Sequence, residues 1–214
     1  DFDRGGLLWR NRLDMWGNWI GMYNFDKPTS CIRIHADEVK RARGKFFGNA
    51  ANPLLLAPMS ALDAKDYPFY IELRDKLQKK GWNVFLAGNK KYFTEREPVP
   101  PLYADSNREL LAMVGAADYV VTVDSAFLHA TGIMGTPGAG IFNINDGATY
   151  CKYYPNITPV QLCDKPCIML YCHKCQYDYQ MRKTCYQKNS VEKILAAVPN
   201  PSKPVKIPKR RVKR

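Results

Sequence analysis

The chain has 214 residues, 46% of them hydrophobic and 24% charged, a globular composition at odds with general disorder and enough to bury a core without staples. No apolar run approaches the roughly 20 residues that carry a helix across a bilayer. The net charge of +12 points to an anionic partner, whether nucleotide phosphate, nucleic acid or an acidic membrane surface.

The opening Asp1-Phe2-Asp3-Arg4 carries neither an initiator Met nor a signal-peptide pattern, and reads as the start of a cut fragment of a cytoplasmic protein. Residues 1–48 read as a connector or the remnant of a preceding domain. Leu13, Trp16 and Ile20 give a loose helical period, and Ile32, Ile34 and Asp37-Glu38 follow as a short extended piece.

From residue 49 an alternating pattern sets in. Pro53 to Pro58 is an apolar run suited to a buried parallel strand. Tyr67 to Lys80 has Phe69, Leu73 and Leu77 on one helical face, and Gly81 closes it. Asn83 to Gly88 is the next strand, and a Pro-rich loop runs from Glu97 to Pro101. Ser106 and Glu109 form a capping box for a helix to about Val114. Tyr119 to Val123 is a β-branched strand, Ala126 to Met134 a short helix ended by Gly135, and Gly138 to Ile144 a further strand. The expected fold is α/β, a Rossmann-like parallel sheet with helices on both faces. It occupies residues 49–198, with a Cys-rich insertion at 150–188 and a terminal helix from Ser190 to Val198. That helix carries Val191, Ile194, Leu195 and Val198 as its stripe.

Two strand-end loops carry phosphate-friendly chemistry. After the Tyr119–Val123 strand, Asp124-Ser125 meets a helix start, whose free backbone N–H groups and positive dipole end suit an anion. Ser125 adds a hydroxyl, and His129 lies one turn further on the same face. The plainer alternative is that Asp124 or Ser125 only caps the helix and His129 packs under the sheet. After the first strand, Ser60 offers a hydroxyl and Lys65 a mobile cation. Ligands in open α/β sheets sit at the carboxyl ends of strands, so the two loops are candidates for one shared site.

Six of the seven Cys lie between Cys151 and Cys185, a clustering unlike a disulfide framework. Cys163-x3-Cys167-x4-Cys172-x2-Cys175 can surround a tetrahedral Zn²⁺, with His173 or Cys185 as substitute ligands. Reduced thiols or a single disulfide are the alternatives. Residues 199–214 form a basic tail with seven Lys or Arg and no acid. It is a solubilising segment, or a tether to anionic lipid or nucleic acid that would place the protein peripherally at a membrane.

Ser60-Ala61-Leu62-Asp63-Ala64-Lys65-Asp66-Tyr67-Pro68 and the run Ala117 to Ala130, followed by Gly135-Thr136-Pro137, together resemble glycosyltransferase family 9, the ADP-heptose:lipopolysaccharide heptosyltransferases. That family carries an ADxVVTxDTGxxHxAxxxGxP run, and the resemblance covers about residues 50–145. It implies the C-terminal half of a GT-B fold binding a nucleoside-diphosphate sugar, with ADP favoured. Ser60, Lys65, Asp124, Ser125, Ala126 and His129 would lie on the donor and phosphate side, and Gly88 toward the nucleoside. The resemblance also implies a catalytic base and acceptor site on an N-terminal domain that this sequence lacks, leaving the fragment inactive alone, and no metal needed for catalysis. The sequence departs from the pattern in three places: Ala126 stands where the family has Gly, Gly138-Ala139-Gly140 replaces an apolar strand start, and the Asn89 to Pro101 loop has no family counterpart for recognising the base, which leaves the nucleotide open. Two other readings compete, a nucleic-acid-associated module built on the basic tail and Cys knuckle, and a non-catalytic sugar-nucleotide fold.

Overall fold

The structure, a computed structural model, describes residues 32–61, 65–88, 101–143, 145–162 and 190–202. Its centre is a five-stranded, all-parallel sheet of β1 (Pro53–Ala57), β2 (Asn83–Leu86), β3 (Tyr119–Val123), β4 (Gly138–Phe142) and β5 (Ile157–Gln161), in the order β2-β1-β3-β4-β5. The helices are α1 (Ala36–Ala42), α2 (Tyr70–Lys79), α3 (Asn107–Ala116), α4 (Ala126–Met134), α5 (Gly147–Tyr150) and α6 (Ser190–Ala197). A π-helical turn, Arg43–Phe47, continues α1.

β1, β3 and β4 are buried along their whole length, which is why they read as near-continuous apolar runs. Alternate side chains feed two cores. Leu54, Leu56, Tyr119, Val121 and Val123 pack under α2 and α6, while Leu55, Ala57 and Val120 pack under α1, the π turn and α3. Each fully buried Leu contributes roughly 1.5–3 kcal/mol. Helices therefore cover both faces, and the fold is the Rossmann-like α/β architecture that the residue pattern predicts.

The terminal helix closes the first face. Val191, Ile194 and Val198 are buried and Leu195 partly so. Lys80 reaches the carbonyls of Leu195 and Val198, Lys76 pairs with Glu192, and Tyr119 Oη donates to the Ala197 carbonyl at 3.2 Å. Ser190, the first described residue of the helix, hydrogen-bonds Tyr67 Oη at 3.0 Å.

Three features differ from the sequence expectation. Asp37 and Glu38 lie in α1 and not in an extended piece: they are its first-turn acids, complementing the helix dipole, and Glu38 Oε2 accepts from the His35 amide at 2.9 Å. Arg108 then bonds Glu38, holding its carboxyl down at about 2 and tying α1 to α3. Residues 157–161, assigned no element in the sequence, form edge strand β5. Its burial pattern is only half-apolar and Pro159 interrupts it, features an edge strand tolerates. Cys151, counted with the thiol cluster, is instead buried among Leu128, Phe142 and Ile157. The Gly138-Ala139-Gly140 departure has a steric cause. A Cβ on Gly138 would sit 2.8 Å from the Val120 carbonyl oxygen, and one on Gly140 would sit 2.8 Å from Leu128 Cδ1 and Phe142 Cε2.

Candidate donor site at the sheet switch point

In this strand order, β1 connects outward to β2 and the chain then crosses to β3 on the other side of β1. The loops after β1 and β3 diverge there, opening the crevice at their carboxyl ends where open α/β sheets bind ligands. Ser60 and Lys65 follow β1; Asp124, Ser125 and Ala126 follow β3. The sequence-derived candidates thus converge on the one edge where the topology makes a site.

The two loops are joined by a salt bridge. Lys65 Nζ lies 2.6 Å from Asp124 Oδ2, with 19% and 8% of the two side chains exposed. Asn145 Nδ2, just past β4, donates to the same oxygen at 2.5 Å. Lys65 therefore turns inward and is not a solvated surface lysine. The Ser60 amide donates to Asp66 Oδ1 at 2.7 Å, fixing the loop, and Ser60 is 8% exposed.

The start of α4 shows which residue caps it. Ser125 is the N-cap, its Oγ accepting from the Phe127 amide at 3.2 Å and lying 3.2 Å from Thr122 Oγ1. Asp124 is thereby left to hold Lys65. Ala126 is the first helical residue and exposed. Asn52 is the only non-glycine with positive φ among the described residues, so Ala126 occupies the family's glycine position without backbone strain. Its amide belongs to the open end of the helix, where N–H groups face outward.

His129 does not pack beneath the sheet. It is exposed on α4, with Nδ1 3.0 Å from Tyr154 Oη. Gly88 lies two residues past β2 with φ of 146°, and its amide donates to the Leu102 carbonyl at 3.1 Å. That places it on the same sheet edge, one strand away from the salt bridge. Asn145 and Tyr154 are the participants the sequence did not reveal, since neither lies in a motif and both act through contacts 21 and 25 residues away. Cys163, Cys167, Cys172 and Cys175 lie outside the described residues. Among those described, no three His, Cys, Asp or Glu side chains are grouped to hold a metal, and no helix is long and apolar enough to cross a membrane.

The model of glycosyltransferase family 9 (heptosyltransferase) matches residues 20–180. This chain belongs to that family. Solved structures share its fold. The family 9 glycosyltransferase from Veillonella parvula DSM 2008 superposes with a TM-score of 0.58 at 16% identity, covering 71% of this chain and 49% of its own. The ADP-heptose lps heptosyltransferase II of E. coli gives 0.52 at 15% identity, covering 80% and 55%. The iron-containing dodecameric glycosyltransferase TibC of enterotoxigenic E. coli H10407 gives 0.52 at 12%, covering 79% and 47%. The chain thus spans about half the length of the solved relatives it matches. Comparison with curated protein sequences gives no match.

Proposed function

We propose that this family 9 chain is the donor-binding half of a glycosyltransferase that transfers a sugar from a nucleoside diphosphate to an acceptor hydroxyl. The observation that carries the reading is the Lys65–Asp124 salt bridge, which joins the two switch-point loops beside the open N-terminus of α4. A diphosphate placed there meets the Lys65 ammonium, the Ala126 amide and the hydroxyls of Ser60 and Ser125. His129 lies one turn along the helix, and Gly88 lies toward the nucleoside.

Chemically, this half stabilises the leaving group. As the glycosidic bond to the donor breaks, negative charge grows on the diphosphate, and preorganised donors at a helix end together with a cation hold it without a metal. Deprotonation of the acceptor hydroxyl needs a general base, which we assign to a partnering acceptor domain, wherever that domain is encoded. ADP is the favoured nucleotide, because a relative of the same fold is described as an ADP-heptose enzyme.

Two attachments belong to the same proposal. Cys163, Cys167, Cys172 and Cys175 hold a structural Zn²⁺; one relative is described as iron-containing, so elemental analysis of the purified protein should look for both metals, and a metal-free protein would remove the assignment. The basic tail after Pro199 docks on an anionic surface, lipid or nucleic acid. Deleting residues 203–214 should abolish salt-sensitive binding to acidic vesicles or to nucleic acid while leaving nucleotide binding intact.

The donor reading is tested by calorimetric titration with ADP, UDP, GDP and CDP. Saturable binding of one diphosphate, lost in Lys65→Ala, is expected. Binding that survives Lys65→Ala unchanged would place the nucleotide elsewhere.

A further inference from the structure

We propose that Tyr154 is a positioning residue for His129, donating its phenol hydrogen to Nδ1 so that the neutral imidazole carries its own proton on Nε2 and serves the donor site as an N–H donor. This rests on the assignment of His129 to that site.

The geometry is specific. Tyr154 Oη and His129 Nδ1 are 3.0 Å apart, and the rings meet edge to face with centroids 5.9 Å apart at 68°. A phenol is a good donor through O–H and a weak acceptor, because its lone pair is shared with the ring, whereas an unprotonated imidazole nitrogen is a good acceptor. The pairing that uses both groups at their best runs from Tyr154 Oη to Nδ1. Burial pushes the Tyr154 phenol above its ordinary range, with a smaller contribution from Cys151, so the hydroxyl keeps its hydrogen at neutral pH. One nitrogen of a neutral imidazole is a donor and the other an acceptor, and a bond at Nδ1 decides which.

The tyrosine is itself firmly held. Its amide donates to the Cys151 carbonyl at 2.8 Å, and its carbonyl accepts from the Ile157 amide at 3.0 Å. Two residues on, Asn156 Nδ2 bridges the carbonyls of Thr131 at 2.9 Å and Thr136 at 2.6 Å, clamping this turn onto the end of α4. The ring lies over Gly132, where a Cβ would come within 2.2 Å of Tyr154 Cδ1. Only a glycine admits the ring there, one turn below His129. The aromatic ring accounts for the packing; the hydroxyl adds the bond to His129. Orientation of a functional imidazole by a partner on its other nitrogen is a general way to fix its tautomer.

The test uses the full chain labelled with ¹⁵N-histidine, near pH ~8, where an ordinary imidazole is neutral. The sequence holds three His, and His129→Gln assigns the signal. Long-range ¹H–¹⁵N correlations should show His129 protonated on Nε2 in the wild type and mixed tautomers in Tyr154→Phe, which keeps the ring packing. Gly132→Ala should produce the same mixture without altering either partner. ADP affinity should fall about 3- to 10-fold in Tyr154→Phe, the worth of one hydrogen bond, and Tyr154→Phe should add nothing in a His129→Gln background. A wild-type His129 protonated on Nδ1, an unchanged tautomer in Tyr154→Phe, or additive effects on affinity would overturn the proposal. Wild-type protein that binds none of ADP, UDP, GDP and CDP would instead refute the donor-site reading, and with it the service of Nε2–H to that site; the tautomer signals would still decide whether Tyr154 holds the ring.

Discussion

Removing the Lys65 ammonium should cost more stability than neutralising Asp124, although both changes break the same bond. At 2.6 Å the gross attraction is about 6 kcal/mol with an effective dielectric constant near 20, most of it offset by desolvation. What survives truncation depends on the orphaned partner. Lys65→Met leaves a carboxylate whose side chain is 8% exposed, with Asn145 still donating to it. Breaking a fully buried pair costs ~3–5 kcal/mol. Lys65 keeps about a fifth of its side-chain surface in water, and Asn145 remains, so about 1–3 kcal/mol is expected by discounting that range. Asp124→Asn keeps an amide oxygen beside the ammonium, whose side chain is already about a fifth exposed, and should cost ~1 kcal/mol or less. The double variant should cost less than the sum of the singles. Urea unfolding at constant slope reads all three. A larger loss in Asp124→Asn than in Lys65→Met, or additivity within ~0.3 kcal/mol, would refute the account of the switch-point pair.

The Cys151 thiol is pushed up to about 12 from 9.0, mainly by burial and secondarily by Asp124 and Asp146. An acid whose folded value is raised stabilises the fold fully below its unfolded value, and that contribution is lost as pH rises. Stability should therefore fall between about pH 9 and 12, and Cys151→Ala should delay the onset; alkaline unfolding curves that coincide for the two proteins would contradict this. Gly140→Ala should destabilise by about 1–3 kcal/mol through overpacking against Leu128 and Phe142, measured by thermal unfolding, and an unchanged midpoint would mean that β4 and α4 pack less tightly than described. Ser125→Ala should cost ~1 kcal/mol as a lost helix cap and should also weaken ADP binding in calorimetry; loss of stability with full affinity would reduce Ser125 to a cap.

The sequence made the sheet legible because β1, β3 and β4 are buried on both faces, so their apolar runs are uninterrupted. It missed β5 because an edge strand with exposed Thr158 and Pro159 lacks that signal. Asp37 and Glu38 were misleading for a related reason. Two acids after an extended stretch mark a helix start only if the following short helix finds something to pack on, and here α3 supplies it, with Arg108 bonding Glu38. In the site, Lys65, Asp124 and Ser125 were visible because strand-end loops are local in sequence. Which of Asp124 and Ser125 caps the helix was not, since the answer depends on Lys65, 59 residues away. Tyr154 is hidden on the same grounds: its partner lies on another element, and nothing local to Gly132 tells that a ring packs over it.

A nucleoside diphosphate is proposed to bind between the β1 and β3 loops at the start of α4. Backbone-amide NMR of the full chain titrated with the diphosphate that binds tests it most directly. The largest shifts are expected at Ser60, Lys65, Ser125, Ala126 and Phe127, with smaller ones at Gly88. Shifts concentrated at the opposite end of the sheet, around Asn52, Trp82 or Asn156, with the α4 start unmoved, would contradict it.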